Sequence, residues 1–500
     1  MPDTPTPDDT LAQTPDLAGE KRSHAEVVRD LTSRWPEHRV APSLGRIAAL
    51  TELLGDPQRA YPVIHVTGTN GKGSTVAMIE SLLRAAGLRT GRYTSPHLSS
   101  LTERITIDGE SISDERFDAL WGEIAPYVAI VDDRRIDGVV CTFFEIMTAM
   151  AFAAFADAPV DVAVVEVGLG GTWDATNVAD AGVAVITPID LDHTHLLGTT
   201  VAEIAREKAG IIKPGAHAIL AGQSLEAAQV LLERCAEVGA LAQREGIDFG
   251  VLGRQLAVDG QLIRLNGAEG PVEDVFIPLH GAHQASNAGL ALAAVEAFLG
   301  LKALNPDVVR DGFAAVTVPG RLEVVRRSPT VLLDAAHNPH GAAAAVAALE
   351  EAFDLNPLVG VIGVMADKDV RGLLQTFEPA LTHVVVTQVA SSTRGMPAEE
   401  LGELAAEIFG AERVTVAPSL DNAIEAAVGL AEVEGVGTPG VLVSGSVVLV
   451  GEARSLLVGE RPPGAAVAPA VDEDTDADWD PLERDLGGEE PTDEERESWT

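Results

Sequence analysis

Short runs rich in Val and Ile alternate along this chain with stretches in which apolar residues recur every three or four positions. The run at 61–66 reads as a strand, a Gly-rich turn follows, and Val76, Ile79, Leu82 and Leu83 then keep helical spacing to about Gly87. Strand-like runs recur at 162–167 and 183–187, and an Ala-rich helix is expected after Asn287. This alternation predicts an α/β domain built on a mainly parallel sheet. A second series begins after Pro319-Gly320-Arg321, with strands expected at 330–333, 359–364, 384–387 and 441–443 and helices such as 342–353 between them. That series predicts a smaller, doubly wound, Rossmann-like C-terminal α/β domain. Ligands of such sheets gather beyond the carboxyl ends of strands, so the chemistry is expected between the two domains.

The ends of the chain lack this periodicity. Residues 1–22, rich in Pro, Thr and Asp, are expected to be a loose leader, and the acidic stretch 461–500 a disordered, solubilising tail. Between them the expected domains are 23–316 and 317–460. At 500 residues and 46% hydrophobic composition the chain can bury more than one core. Two cysteines, Cys141 and Cys235, and no charged-then-apolar leader point away from a disulfide framework and toward the cytoplasm. No uncharged apolar run reaches the roughly 18–20 residues that span a bilayer, so no membrane partner is expected. A formal net charge of -41 argues against nucleic acid, which is held by clustered Lys and Arg. Any phosphate must therefore be bound in a local site.

One segment is suited to that. Gly68, Thr69, Asn70, Gly71, Lys72, Gly73, Ser74 and Thr75 lie where a strand meets a helix, so backbone N–H groups and the helix dipole can cradle an anion while Lys72 adds a point charge. The spacing departs from G-x-x-x-x-G-K-[ST]: Gly68 is one residue too close to Gly71, and Gly73 intervenes between Lys72 and Ser74. Glu166 sits inside an otherwise apolar strand, where a carboxylate needs a cation, either a basic side chain or a metal. Beyond the next strand come Asp190, Asp192, His193 and His195. Lys208, judged alone, is an ordinary surface lysine of a helix.

The loop TGTNGKGST resembles the nucleotide loop of the Mur ligase superfamily. With Ser95-Pro96-His97, Thr142-Phe143-Phe144-Glu145, EVGLGGTWDATN, LDHTHLLG, REKAGIIKP, HQASNA, PGRLE and DAAHNP in that order, the chain resembles the folate branch, the folylpolyglutamate and dihydrofolate synthases. The resemblance implies ATP and magnesium, with two metal sites. Ser95, Glu166 and His193 are the implied magnesium ligands, and Lys208 becomes a carbamylated lysine that helps hold the second ion. Asn287, Arg321 and Asp334 join the loop in binding ATP, although Asp334 suits a turn-making role equally well. Thr142, Phe143, Phe144, Glu145, Trp173, Asp174 and Ala175 are the implied pterin-binding segments, with core packing the competing use of the two Phe residues. Thr172 stands where many relatives carry Arg.

The implied reaction is ATP-driven ligation of L-glutamate to a folate or dihydropteroate through an acyl phosphate, by a monomer. The alternatives are a ligase acting on a UDP-muramyl substrate, for which too little chain precedes Gly68, and a nucleotide-binding module without turnover, against which Glu166, His193 and Lys208 all speak.

Overall fold

Every residue of the strands Val63–Thr67 and Val162–Glu166 is buried, the outcome expected when β-branched runs are covered on both faces. A computed structural model describes residues 22–34, 41–433 and 437–459. The expected leader, apart from Arg22, and the expected acidic tail lie outside these described residues.

The strands β1 (Val63–Thr67), β2 (Thr90–Tyr93), β3 (Ile105–Ile107), β4 (Glu110–Ser111), β5 (Val162–Glu166), β6 (Val183–Ile186), β7 (His217–Leu220) and β8 (Leu241–Arg244) form one sheet. Its order is β4-β3-β2-β5-β1-β6-β7-β8. From β2 to β8 all neighbours are parallel, and β3 and β4 add an antiparallel edge. Side chains alternate through the layer. Val162 and Val164 pack in one core with Val76, Ile79 and Leu82 of the helix Lys72–Ala85, whereas Ala163 and Val165 join a second core with Phe152 and Phe155 of the helix Phe143–Asp157. The register pairs Val66 with Glu166 and Thr67 with Ile186. The carboxyl ends of β5, β1 and β6 therefore emerge side by side, and the segments they feed must share one region of space.

An antiparallel sheet, β9 (Gly250–Ala257), β10 (Gly260–Gly267) and β11 (Gly270–Ile277), packs on the same side as the helix Ala282–Phe298. Hydrophobic periodicity did not predict it, because only one face is covered. Ile263, Leu265, Val275 and Ile277 point inward, while Arg264, Glu273 and Asp274 interrupt the apolar runs from the outer face. The Ala-rich helix begins at Ala282, not after Asn287 as expected. His283, Gln284, Ser286 and Asn287 look like loop, yet Gln284 and Asn287 are buried helical residues.

The second parallel sheet comprises β12 (Glu323–Arg327), β13 (Thr330–Leu333), β14 (Leu358–Ile362), β15 (His383–Val386), β16 (Val414–Val416) and β17 (Gly440–Ser444), in the order β12-β13-β17-β14-β15-β16. Only the β12 edge is antiparallel. β14, β15 and β17 are buried throughout. Among the described residues no helix is long and apolar enough to cross a membrane, and Cys141 and Cys235 are buried and unpaired.

A buried ion pair fixes the entry to the helix Phe143–Asp157. Glu145 closes a capping box with Thr142, accepting its N–H at 2.8 Å, and both Glu145 oxygens lie 3.1 Å from Arg46 Nε on the helix Gly45–Leu53. Arg46 is only 1% exposed. Replacing Arg46 by Met leaves that carboxylate uncompensated in the interior, and urea unfolding should register a loss of about 3–5 kcal/mol. A double replacement, Arg46→Met with Glu145→Gln, should lose much less.

Candidate active site

The loop after β1 is held from three sides before any ligand is considered. Gly68 has φ +148, and a Cβ there would overlap the Thr187 hydroxyl. Gly71 has φ +87, and its Cβ would stand 2.7 Å from Asn287 Oδ1. Both positions thus need glycine for conformation and for close approach. The Thr69 N–H donates to the Pro188 carbonyl at 2.9 Å, and its hydroxyl donates to the Asp190 carbonyl at 3.0 Å. Behind the loop, Asn287 donates to Gln284 at 3.1 Å, and Gln284 reaches Ser74 Oγ at 3.4 Å. The helix Lys72–Ala85 then starts, and the first amides of a helix have no partner within it, so they face whatever lies at its mouth.

Two ammonium groups converge on one carbonyl oxygen of this loop. Lys72 Nζ lies 3.1 Å from the Gly68 and Thr69 carbonyls, and Lys208 Nζ lies 2.9 Å from that of Gly68. Lys208 is buried, not the surface residue its helix position alone suggests. Burial, then the Lys72 charge, pulls its amine down to about 7. Burial also lowers the amine of Lys72, opposed by Glu166 and Asp192. Glu166 lies across the loop, its Oε2 3.7 Å from where a Gly73 Cβ would be and 3.3 Å from the Ser95 N–H donor. Burial raises its carboxyl above the usual range, with Lys72 the main opposing influence.

The C-terminal sheet supplies the far wall. Asn338 caps the helix Pro339–Ala352, accepting the Gly341 N–H at 2.7 Å, and exchanges amide hydrogen bonds with Asn70 of the loop at 3.1 and 3.3 Å. Its Nδ2 also donates to Asp192 Oδ2 at 3.2 Å. Lys368 Nζ, just beyond β14, donates to Asp192 Oδ1 at 2.8 Å and lies 3.2 Å from His193 Nε2. Burial alone would raise the Asp192 carboxyl, but Lys368 and His193 outweigh it and hold it well below the usual carboxylate range. Burial, then Lys368, depresses His193 to about 3. Asp334 accepts the Leu322 and Ala336 N–H groups at 3.0 and 2.9 Å, which fixes the segment carrying Arg321.

These groups enclose a cavity of about 150 Å³ lined by residues 67–74 together with Ser95, Glu166, His193, Lys208, Arg321 and His337. Thr75, Asn287 and Asp334 do not line it; Asn287 stands behind Gly71, and Asp334 holds the segment that carries Arg321. A second cavity of about 1590 Å³ shares Ser95, Gly168, His193 and His337 with the first. Thr142, Phe144, Glu145, Trp173, Asp174 and Ala175 line it, and Phe143 does not. Phe143 is buried, with the Arg104 guanidinium 5.2 Å from its ring centre, so of the two Phe side chains it takes the packing role. Sequence reasoning missed Asn338 and Lys368. The Asn-Pro step is a helix-start signal, and Lys368 follows a strand's carboxyl end, but neither spacing reveals a partner in the other sheet.

Residues 66–295 match the family described as Mur ligase middle domain, and residues 320–447 match Mur ligase, glutamate ligase domain. The dihydrofolate synthase/folylpolyglutamate synthase of Mycobacterium tuberculosis is 49% identical over 470 residues, which cover 89% of this chain and 96% of that protein. The chain belongs to the folylpolyglutamate synthase/dihydrofolate synthase family of Mur ligases. The family's solved structures include the Mycobacterium tuberculosis folylpolyglutamate synthase complexed with ADP and AMPPCP, at 50% identity and TM-score 0.83, covering 86% of this chain and 97% of that one. An Escherichia coli member in complex with DHPP and ADP has 32% identity and TM-score 0.76, covering 88% and 98%. Within this folylpolyglutamate synthase fold Thr172 is turned away from the large cavity: its hydroxyl donates to the Glu207 carbonyl at 3.0 Å and so ties the loop after β5 to the Lys208 helix.

Gly71→Ala should weaken ADP binding at least about tenfold in calorimetry, because strain at positive φ and the crowding of Asn287 together exceed about 1.4 kcal/mol. Unchanged affinity would contradict the bracing of the loop by Asn287.

Proposed function

We propose that this chain uses ATP to join the amine of L-glutamate to the carboxyl of a folate, with dihydropteroate as a second acceptor, releasing ADP and phosphate. The observation that carries it is the convergence of Lys72, Ser95, Glu166, His193, Lys208 and Arg321 on a small polar cavity that opens beside a much larger one. The larger cavity exceeds the roughly 300–1,000 Å³ typical of small-molecule sites, room for a pteridine, its linker and an added glutamate. In a chain of net charge -41, this cluster of cations is a local reversal of sign.

Both reactants are anionic, so their approach must be screened. Backbone N–H groups of residues 70–74 hold the outer phosphates, and Lys72 leaves its carbonyl partners to meet the oxygen between the transferred and departing phosphates. Arg321 faces them from the C-terminal sheet with a planar guanidinium suited to phosphate oxygens. The folate carboxylate attacks the terminal phosphorus, an acyl phosphate forms, and the amine of glutamate displaces phosphate from it. Orientation does most of this work, and no protein nucleophile is needed.

Magnesium fits the donors. Ser95 and Glu166 offer oxygen, His193 adds a neutral imidazole nitrogen, and Glu166 is a buried carboxylate with one described hydrogen bond donor. Among the described residues no three His, Cys, Asp or Glu side chains gather as a metal cluster; an ion on these donors would complete its shell with water and phosphate oxygens. Bound there, the ion would neutralise phosphate charge as a Lewis acid. Lys208 would hold a second ion once carbamylated, its uncharged amine bonding to the carbon of carbon dioxide with loss of a proton. A cytoplasmic monomer completes the proposal; the two unpaired cysteines suit a reducing compartment.

Phosphate release from ATP should require glutamate together with dihydropteroate or a reduced folate; no release with any such acceptor would end the ligase reading. Lys72→Ala and Glu166→Gln should each abolish turnover with an unchanged circular dichroism spectrum. With ¹³C-labelled carbon dioxide, a carbamate resonance lost in Lys208→Met should grow as pH rises through about 7, because the uncharged amine gains population above its folded value. A resonance that survives the substitution would reject Lys208 as its carrier.

A further inference from the structure

Lys368 is the one ammonium group of the C-terminal sheet that the proposed chemistry does not use, and its position is specific. It hangs from the segment between β14 and the helix Val370–Phe377, reaches across to Asp192 Oδ1 at 2.8 Å, and stands 3.2 Å from His193 Nε2. An ammonium group can only donate, so Nε2 must be the acceptor and its lone pair points at Lys368. The His193 ring nitrogen has a single lone pair in the ring plane. While Lys368 holds it, His193 cannot give it to a metal.

We propose that Lys368 competes with magnesium for His193, so that metal loading and the Lys368–His193 contact exclude each other. This rests on His193 being a metal ligand. Lys368 also lines the large cavity. Displaced from His193 it keeps a route into that space, where an anionic group of a substrate would be its next partner. The same loop remains tied to the C-terminal sheet through Asn338 and Asp192, so release of Lys368 loosens the contact without separating the two sheets. Metal entry thereby prepares a cation for the substrate that follows, which sets an order of binding.

The test is titration of the full-length protein with Mn²⁺, alone and with AMPPCP, followed by electron paramagnetic resonance, with electron spin-echo modulation reporting imidazole nitrogen bound to manganese. Lys368→Met should bind Mn²⁺ about tenfold more tightly than wild type, the equivalent of one charge-assisted hydrogen bond, and the nitrogen modulation should appear at correspondingly lower Mn²⁺. The gain should vanish in Lys368→Met with His193→Ala. Arg321→Met removes a nearby positive charge without touching His193, and should give a smaller gain. Equal gains in the two single variants would mean simple relief of repulsion and would overturn the competition. Unchanged or weaker binding in Lys368→Met would overturn it as well, and phosphate release by the wild type would then leave the ligase reading standing. Wild type with no nitrogen modulation at saturating Mn²⁺ would remove His193 from the metal and the competition with it. Lys368→Gln provides the same comparison should the Met variant misfold.

Discussion

An interior carboxylate beside a glycine-lined anion cradle is the constraint on which this structure turns. Glu166 ends a strand whose other residues are apolar, and its desolvation is opposed first by Lys72 and the Ser95 N–H, then by Arg321 and Arg104. The parallel register brings Glu166 level with Val66, so the acid and the loop that follows β1 are set side by side by the sheet itself. Chemistry placed at that junction inherits the rigidity of two central strands.

The second sheet matters because it closes the junction with groups of the complementary sign. Arg321 lies just before β12, Lys368 comes after β14 and Asn338 starts a helix, and all three face residues 67–74 or Asp192. Asn338 shows how tightly local structure and assembly are coupled. Its side chain caps its own helix, pairs with Asn70 and donates to Asp192, so a helix-start residue also joins the two sheets. A chain of large negative charge thus builds one region where anions are welcome.

Much of this was legible in the residues. The strand-loop-helix at 61–87, the parallel character of both sheets and the meeting of Lys72, Glu166, His193, Lys208 and Arg321 follow from runs, spacing and resemblance. The antiparallel meander at 250–277 was not legible, because a half-covered sheet scatters charge among its apolar positions. Nor was the division among the expected binding residues. Asn287 and Asp334 carry the same polar chemistry as their neighbours, and only packing decides that they brace the cavity while Arg321 enters it. Phe143 and Phe144 are adjacent and chemically alike, yet the turn of the helix sends one into the core and the other to the cavity.

The central claim is that Glu166 couples nucleotide to metal, and calorimetry of AMPPCP binding with and without magnesium addresses it most directly. Wild type should lose most of its affinity when magnesium is withdrawn, and Glu166→Gln should bind the nucleotide weakly and with little regard to the metal. A Glu166→Gln protein whose affinity depends on magnesium as steeply as that of the wild type would contradict the account.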